Sequence, residues 1–405
     1  MHDRETREHA NYLPQPSAQR LGIGLCLSGG GYRAALFHLG ALRRLNEFGV
    51  LGQLRTISSV SGGSIMAAHL AARVKWPLQG ALADWEDAVG GPLRKLTATN
   101  IRTGALLQKF LPWNWFRESP AVAALTKSYE RELTALPLSA LPDQPKFVLC
   151  ATDMSFGVNW VFEKNRMGSY LAGYASVPPH DWPLARAVAA SSCFPPVFNP
   201  MPTGFLSRSL RGGRAARGDT RSEAIKGLRL TDGGVYDCLG LEPVWKDHAV
   251  VLVSDAGGGL DYEGDRNLLW RLERYIAIMG GQAQAVRKRW VISDFIAGIL
   301  EGAYWGVRSA TTSYESGATG GYSKDLAVEV IAKIRTDLDA FSEAEASVLE
   351  NHGYLLADAA IKRHLPHLVP TPPPALAVPH PEWMHEEKVR RALRESGKMK
   401  LLGRW

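Results

Sequence analysis

Residues 57–64 read Ile57-Ser58-Ser59-Val60-Ser61-Gly62-Gly63-Ser64. A serine stands behind small and β-branched residues and ahead of two glycines. That order suits a sharp strand-to-helix turn, with glycines that let the helix come close and a hydroxyl presented as a nucleophile. The usual spacing for such an elbow is G-x-S-x-G. Here Ser59 replaces the first glycine, and its small side chain keeps the steric argument. Taken alone, the segment also reads as a serine- and glycine-rich loop without chemistry. Upstream, the apolar run Leu21–Leu27 leads into Ser28-Gly29-Gly30-Gly31-Tyr32-Arg33. Ala35, Leu39, Leu42 and Leu45 follow at helical spacing, and Gly49 is a C-terminal stop. Glycines between a strand and a helix leave backbone N–H groups open to an anion. A phosphate loop would end in Gly-Lys-Ser/Thr, which this one lacks. An oxyanion hole needs only preorganised N–H donors. The third piece is Leu230-Thr231-Asp232-Gly233-Gly234-Val235, a carboxylate at a strand end. Asp-Gly by itself is a common turn.

A carboxylate takes a serine proton directly only if it is dry and close. Asp232 is the candidate for that role, and Asp153 and Asp255 are rivals on position alone. Asp255 follows the apolar run Val250–Val253 and precedes Gly257-Gly258-Gly259. It reads as a turn cap or an outer support. A Ser-His-Asp triad needs a histidine in a defined loop. His38 and His69 instead fall within expected helices, after the loops that would form the site.

In their joint order, the three segments resemble the patatin-like phospholipase family, which pairs an S/D-G-G-G-x-R loop with a serine elbow and a D-G-G/A aspartate. Gly29-Gly30-Gly31-Tyr32-Arg33, Ser61-Gly62-Gly63 and Asp232-Gly233-Gly234 carry the likeness. Ala190-Ser191-Ser192-Cys193-Phe194-Pro195-Pro196-Val197-Phe198 and Ala151-Thr152-Asp153 resemble two further blocks. The resemblance spans residues 21–260. It implies a Ser–Asp dyad, with Ser61 as nucleophile, Asp232 as general base and no catalytic histidine. It also implies an oxyanion hole from Gly29, Gly30, Gly31 and Arg33, and A-type hydrolysis of phospholipid or other acyl-ester lipids without metal or cofactor. Two other readings stay open: a membrane-degrading effector switched on by a ligand or partner, and a non-catalytic binding protein on the same fold.

The chain has 405 residues, 45% hydrophobic and 21% charged, enough for a large core with additions. The expected fold is α/β, a three-layer α/β/α sandwich with a mainly parallel central sheet and helical C-terminal additions. The expected divisions are a flexible tail at 1–20, a catalytic domain at 21–260, a mostly helical region at 261–365, and a Pro-rich linker with a basic tail at 366–405. Strands are expected at 146–152 and 158–163. Residues 76–140 read as a helical insertion, either a lid or an ordinary helical layer. No run of about twenty apolar residues marks a membrane span, and the first twenty residues lack signal-peptide character. Cys26, Cys150, Cys193 and Cys238 have no metal-like spacing and read as reduced, buried thiols of a cytoplasmic protein. The net charge of +7 favours peripheral contact with an anionic membrane and does not argue for a nucleic-acid partner.

Two basic features invite lipid contact. Arg208, Arg211, Arg214 and Arg217 recur every third residue before Arg221. They are candidate contacts for a phosphate headgroup, or simply a solvated loop. Residues 291–308 read as one helix, with Asp294, Glu301 and Arg308 on a narrow stripe and Gly298, Gly302 and Gly306 on another. Behind Arg287-Lys288-Arg289-Trp290, and together with the basic segment Lys388–Trp405, this helix is a candidate for docking on anionic lipid. The alternatives are a core helix and a loose tail.

Overall fold

Short apolar runs separated by glycine turns build the sheet. The strands are β1 (Ile23–Leu27), β2 (Leu54–Val60), β3 (Lys146–Asp153), β4 (Val158–Phe162), β5 (Arg166–Ser169), β6 (Gly173–Ser176), β7 (Met201–Pro202), β8 (Arg229–Asp232), β9 (Val250–Asp255) and β10 (Glu301–Gly306). A computed structural model describes residues 19–394 and 396, except 109–110, 115–117, 216–217, 260–263 and 315–319. The N-terminal tail up to residue 18, Arg217 and the last nine residues therefore lie outside the described residues. Strand order is β10-β9-β1-β2-β3-β4-β5-β6, with β8 also on β3 and β7 on β8. The five strands from β10 to β3 are mutually parallel, and β4–β6 continue as an antiparallel meander. Every residue of β1 and β9 is buried, as strands covered on both faces must be.

The helices are α1 (Gly31–Glu47), α2 (Gly62–Arg73), α3 (Gly91–Thr97), α4 (Arg102–Leu107), α5 (Pro120–Glu132), α6 (Leu184–Ser192), α7 (Asp219–Lys226), α8 (Gly234–Asp237), α9 (Leu268–Ile296), α10 (Lys324–Glu329), α11 (Glu343–His364) and α12 (Glu386–Leu393). One sheet face carries α1, α2, α6 and α11, with the insertion helices α3–α5 outside them. The other is covered by residues 239–245 and the C-terminal half of α9, through Leu239, Leu241, Val244, Trp245 and Val291. Among the described residues no helix is long and apolar enough to cross a membrane.

One register detail positions the chemistry. β2 ends at Val60, which pairs with Cys150 of β3. The next β3 residue, Ala151, pairs with Asp232 of β8. β4 occupies the opposite edge of β3 over 149–153, so β8 takes the edge that β2 has just left. The turn after β2 and the end of β8 are thereby brought face to face.

The structure corrects the reading of 291–308. α9 ends at Ile296, Gly298 turns the chain at φ +67°, and Glu301–Gly306 form β10 on the open edge of β9. Ala303 and Trp305 are fully buried, so a period of two outweighs the four-residue glycine spacing. Gly302 serves close approach within the sheet, since a Cβ there would stand 2.1 Å from the Val251 carbonyl oxygen and 2.5 Å from the Phe295 ring. The C-terminal segment is also tied down as far as it is described. Val389 and Leu393 of α12 are buried, and Glu386 accepts the Ser323 N–H and hydroxyl.

Candidate active site

Ser61 occupies the turn between β2 and α2 with φ +52° and ψ −116°. Among the described residues it is the one non-glycine at positive φ, a strained position of the kind that persists only where surrounding contacts enforce it. Those contacts are visible. The Ser61 N–H donates to Ser191 Oγ at 2.9 Å, and the Ser191 hydroxyl donates to the Cys150 carbonyl at 2.6 Å. Gly62 and Gly63 press against the glycine loop, where a Cβ would lie 2.0 Å from the Gly31 oxygen or 2.3 Å from the Leu27 oxygen. Ser59, where the elbow motif has glycine, is buried and satisfied. Its hydroxyl donates to the Val148 carbonyl and accepts from the Ser64 hydroxyl.

Asp232 ends β8 beside this turn. Its Oδ1 accepts the Gly234 N–H at 2.7 Å, and the Ser61 side chain lies near enough to favour the charged carboxylate. Burial pushes the carboxyl up to about 6, against the lowering effect of the Gly234 N–H and the nearby Ser61 side chain. Thr152 steadies the strand end by donating its hydroxyl to the Asp232 carbonyl at 2.8 Å.

The glycine loop divides its labour. The Gly29 N–H donates to the Cys238 carbonyl at 2.9 Å and the Tyr32 N–H to the Asp337 carbonyl at 2.8 Å. Among the described residues no backbone acceptor takes the N–H of Gly30 or Gly31. Of the expected donors, Gly30 and Gly31 at the start of α1 are the two whose backbone N–H groups carry no such partner. Gly30 and Gly31 lie at φ +138° and +57°, a region open to glycine and strained for other residues. Arg33 is not a free donor. Its guanidinium binds the carbonyls of Ala256, Ala332 and Ile334, stapling the loop to the chain after β9 and to the segment before α11. Burial lowers its pKa to about 10.

The remaining candidates sort cleanly. Asp153 accepts the Ser155 and Phe156 N–H groups and the Ser169 hydroxyl, which makes it a turn cap. Asp255 accepts the Gly257 N–H and the Tyr304 hydroxyl and pairs with Lys288. His38 is buried between the Ser254 hydroxyl and the Ser28 carbonyl, and His69 against the Val89 carbonyl. Desolvation lowers both to about 4. The backbone N–H groups of Arg211 and Arg214 donate to the carbonyls of Tyr174 and Tyr170 at the β5–β6 hairpin. Arg208, Arg211 and Arg214 do not line the cavity that holds Ser61.

That cavity has a volume of about 620 Å³ and is lined by Gly29–Gly31, Arg33, Ser61 and Asp232. Its walls are largely apolar: Phe194, Pro195, Val235, Ile276, Met279 and Ala283, with Cys238 and Gln284. Sequence reasoning missed Ser191, Thr152 and the contribution of α9. Ser191 and Thr152 sit inside the two further blocks quoted above, so a signal existed without a role attached. α9 is joined to the site only by the fold.

A serine on a strained elbow, a buried aspartate beside it and unclaimed N–H groups at a helix start thus line one cavity. The chain belongs to the patatin-like phospholipase family, whose sequence model matches residues 25–245. No curated protein matches it in sequence. Similar solved structures include human GIVD cytosolic phospholipase A2, at 12% identity and TM-score 0.42, covering 97% of this chain and 65% of that one. The same human protein with methyl gamma-linolenyl fluorophosphonate and terbium chloride gives 13% identity and TM-score 0.46, with 97% and 62% covered. VipD from Legionella pneumophila gives 15% identity and TM-score 0.36, with 85% and 67% covered. The chain thus spans less than two thirds of the human phospholipase chains it matches.

Proposed function

We propose that this protein hydrolyses fatty-acyl esters of phospholipids, as an A-type phospholipase, through a Ser61–Asp232 dyad. The observation that carries this reading is the register on β3, which sets the Ser61 turn against a buried aspartate of pKa about 6. In this scheme the Ser61 oxygen attacks the ester carbonyl carbon while Asp232 takes its proton. The carbonyl oxygen becomes an oxyanion held by the Gly30 and Gly31 N–H groups and the positive end of α1. Collapse breaks the acyl C–O bond, and Asp232 returns the proton to the departing lysophospholipid oxygen. Water then attacks the acyl-enzyme, with Asp232 again as base, and the acyl C–O bond to Ser61 breaks as Asp232 returns the proton to the Ser61 oxygen, releasing the fatty acid. The apolar walls from Phe194 to Met279 suit an acyl chain.

The test is labelling by a fluorophosphonate together with hydrolysis of a soluble short-chain ester. Ser61→Ala is expected to lose labelling and nearly all turnover. Asp232→Asn is expected to lose nearly as much, and the double variant no more than the worse single one, because the pair acts as a unit. Gly30→Ala is expected to lower turnover roughly a hundredfold. A Ser61→Ala protein with wild-type turnover would refute the scheme, and failure of the folded wild type to label would favour a non-catalytic binding role.

A further inference from the structure

A phospholipid carries its phosphate a few bonds from the scissile ester, and the lining of the catalytic cavity has no cation to spare for it. Among the described residues of that lining, Arg33 is the one cation. Its guanidinium is already bound to the carbonyls of Ala256, Ala332 and Ile334. Ile276, Met279 and Ala283, part of an exposed apolar stripe on α9, give an acyl chain a wall. The phosphate must find its partner just outside.

Arg308 stands there. β10, β9, β1 and β2 are parallel neighbours, so the segments that follow them gather at one edge of the sheet, the edge where open α/β sheets bind ligands. Ser61 follows β2, Gly29–Gly31 follow β1, Gly257–Gly259 come after β9 and Arg308 comes after β10. The Val307 N–H donates to the Asp255 carbonyl at 2.8 Å, which carries the pairing of β9 and β10 up to the residue before Arg308. From that point the Arg308 side chain leans over the loop after β9, where a Cβ on Gly259 would stand 2.4 Å from its Nη1. Gly257 and Gly258 line the cavity, and a Cβ on Gly258 would stand 3.1 Å from Nη2 of Arg33. The two guanidiniums flank one short loop, close enough for the charge of Arg308 to work against protonation of Arg33. Three strand spacings separate Arg308 from Ser61, about 14 Å at the usual interval, a span that an arginine side chain and a glycerol phosphate arm cover together.

Arg308 is also unclaimed. It is exposed, and among the described residues no carboxylate or carbonyl takes its guanidinium. Its own carbonyl accepts the Lys324 ammonium at 2.8 Å, which brings a second positive charge to the same corner. The basic residues of α9 nearest the cavity are spent within the chain, Lys288 on Asp255 and Arg287 on the Tyr236 carbonyl. A free guanidinium offers a planar fork that matches two oxygens of a phosphate. We infer that Arg308 holds the phosphodiester of the phospholipid substrate and so selects phospholipids over neutral acyl esters. This deepens the lipid-ester reading above and rests on it.

The experiment compares two substrates with the same acyl groups: dihexanoylphosphatidylcholine below its micellar range, and dihexanoylglycerol, which lacks the phosphate. The readout is the ratio of kcat/KM for the first over the second. Arg308→Ala is expected to lower that ratio at least about fivefold, through KM rather than kcat. Arg308→Lys keeps the charge without the fork and is expected to lower it less, and Arg308→Glu is expected to lower it further. An unchanged ratio in Arg308→Ala overturns the proposal, as does an equal fall in all three variants. A second arm uses calorimetry on Ser61→Ala protein, in which the bound ester stays intact, with dihexanoylphosphatidylcholine and inorganic phosphate as probes. Weaker phosphatidylcholine binding when Arg308→Ala is added supports the assignment. An effect confined to inorganic phosphate marks a site for the free ion and overturns it. This arm does not depend on the dyad: if the wild type cleaves neither ester while phosphatidylcholine binding still requires Arg308, the catalytic scheme fails and the phosphate site stands.

Discussion

An aspartate that takes a proton straight from a serine must be more basic than one on a surface. Asp232 gains that basicity from burial, and the same burial has a cost in stability. Its folded pKa of about 6 lies above the unfolded value of about 3.9. A raised carboxyl contributes nothing unfavourable below the unfolded value and progressively destabilises the fold as pH rises to and through the folded one. Asp232→Asn should therefore stabilise the protein by roughly 2–3 kcal/mol above about pH 7 and by almost nothing near pH 3.5. Denaturant unfolding at the two pH values checks this, and an equal effect at both would contradict the assignment. For the intact enzyme, kcat/KM on a soluble ester should rise with pH through about 6 and then level off. Ser59 carries a second lesson at this scale. The elbow motif is a steric rule, and a serine meets it where its hydroxyl finds Val148 and Ser64.

Among the elements, the crossing of α1 and α11 shows what glycine does in a helix interior. A Cβ at Gly353 would stand 1.9 Å from the Phe37 carbonyl oxygen, and one at Gly40 1.8 Å from that of Glu350. Each helix supplies a glycine against the other's backbone. Helix propensity alone would make Gly353→Ala stabilising by about 1 kcal/mol. The backbone collision should outweigh this and destabilise by about 3 kcal/mol or more, since a packed core cannot absorb the overlap cheaply. A measured gain in Tm would show that the helices separate easily. β10 is the counterexample, because there glycine spacing misled. Gly298, Gly302 and Gly306 imitate a helix-packing stripe in sequence, yet they serve a chain reversal and a tight strand pairing.

At the scale of the whole molecule, the family match ends at residue 245 but the structural unit does not. β9 and β10 complete the parallel half of the sheet, α11 covers α1, and the segment 332–337 holds Arg33 and the start of α1. A chain of residues 19–245 should therefore fail to unfold cooperatively, whereas the full chain shows a single sharp transition. Cooperative unfolding of the fragment would mean that the C-terminal region is a separable addition.

The turn that holds Ser61, the glycine loop and the α/β class were legible because each rests on local chemistry: small residues at a turn, glycine at positive φ, and apolar runs of strand length; on position alone Asp232 had Asp153 and Asp255 as rivals. What only the tertiary structure decided is everything that depends on neighbours distant in sequence. The N–H of Gly29 is claimed by Cys238 and the guanidinium of Arg33 by three carbonyls. The arginines at 208, 211 and 214 lie away from the cavity, and an exposed apolar stripe stands beside it. A donor's residue type and position can be read along the chain. Whether it is free to bind substrate depends on which acceptors the fold has already placed against it.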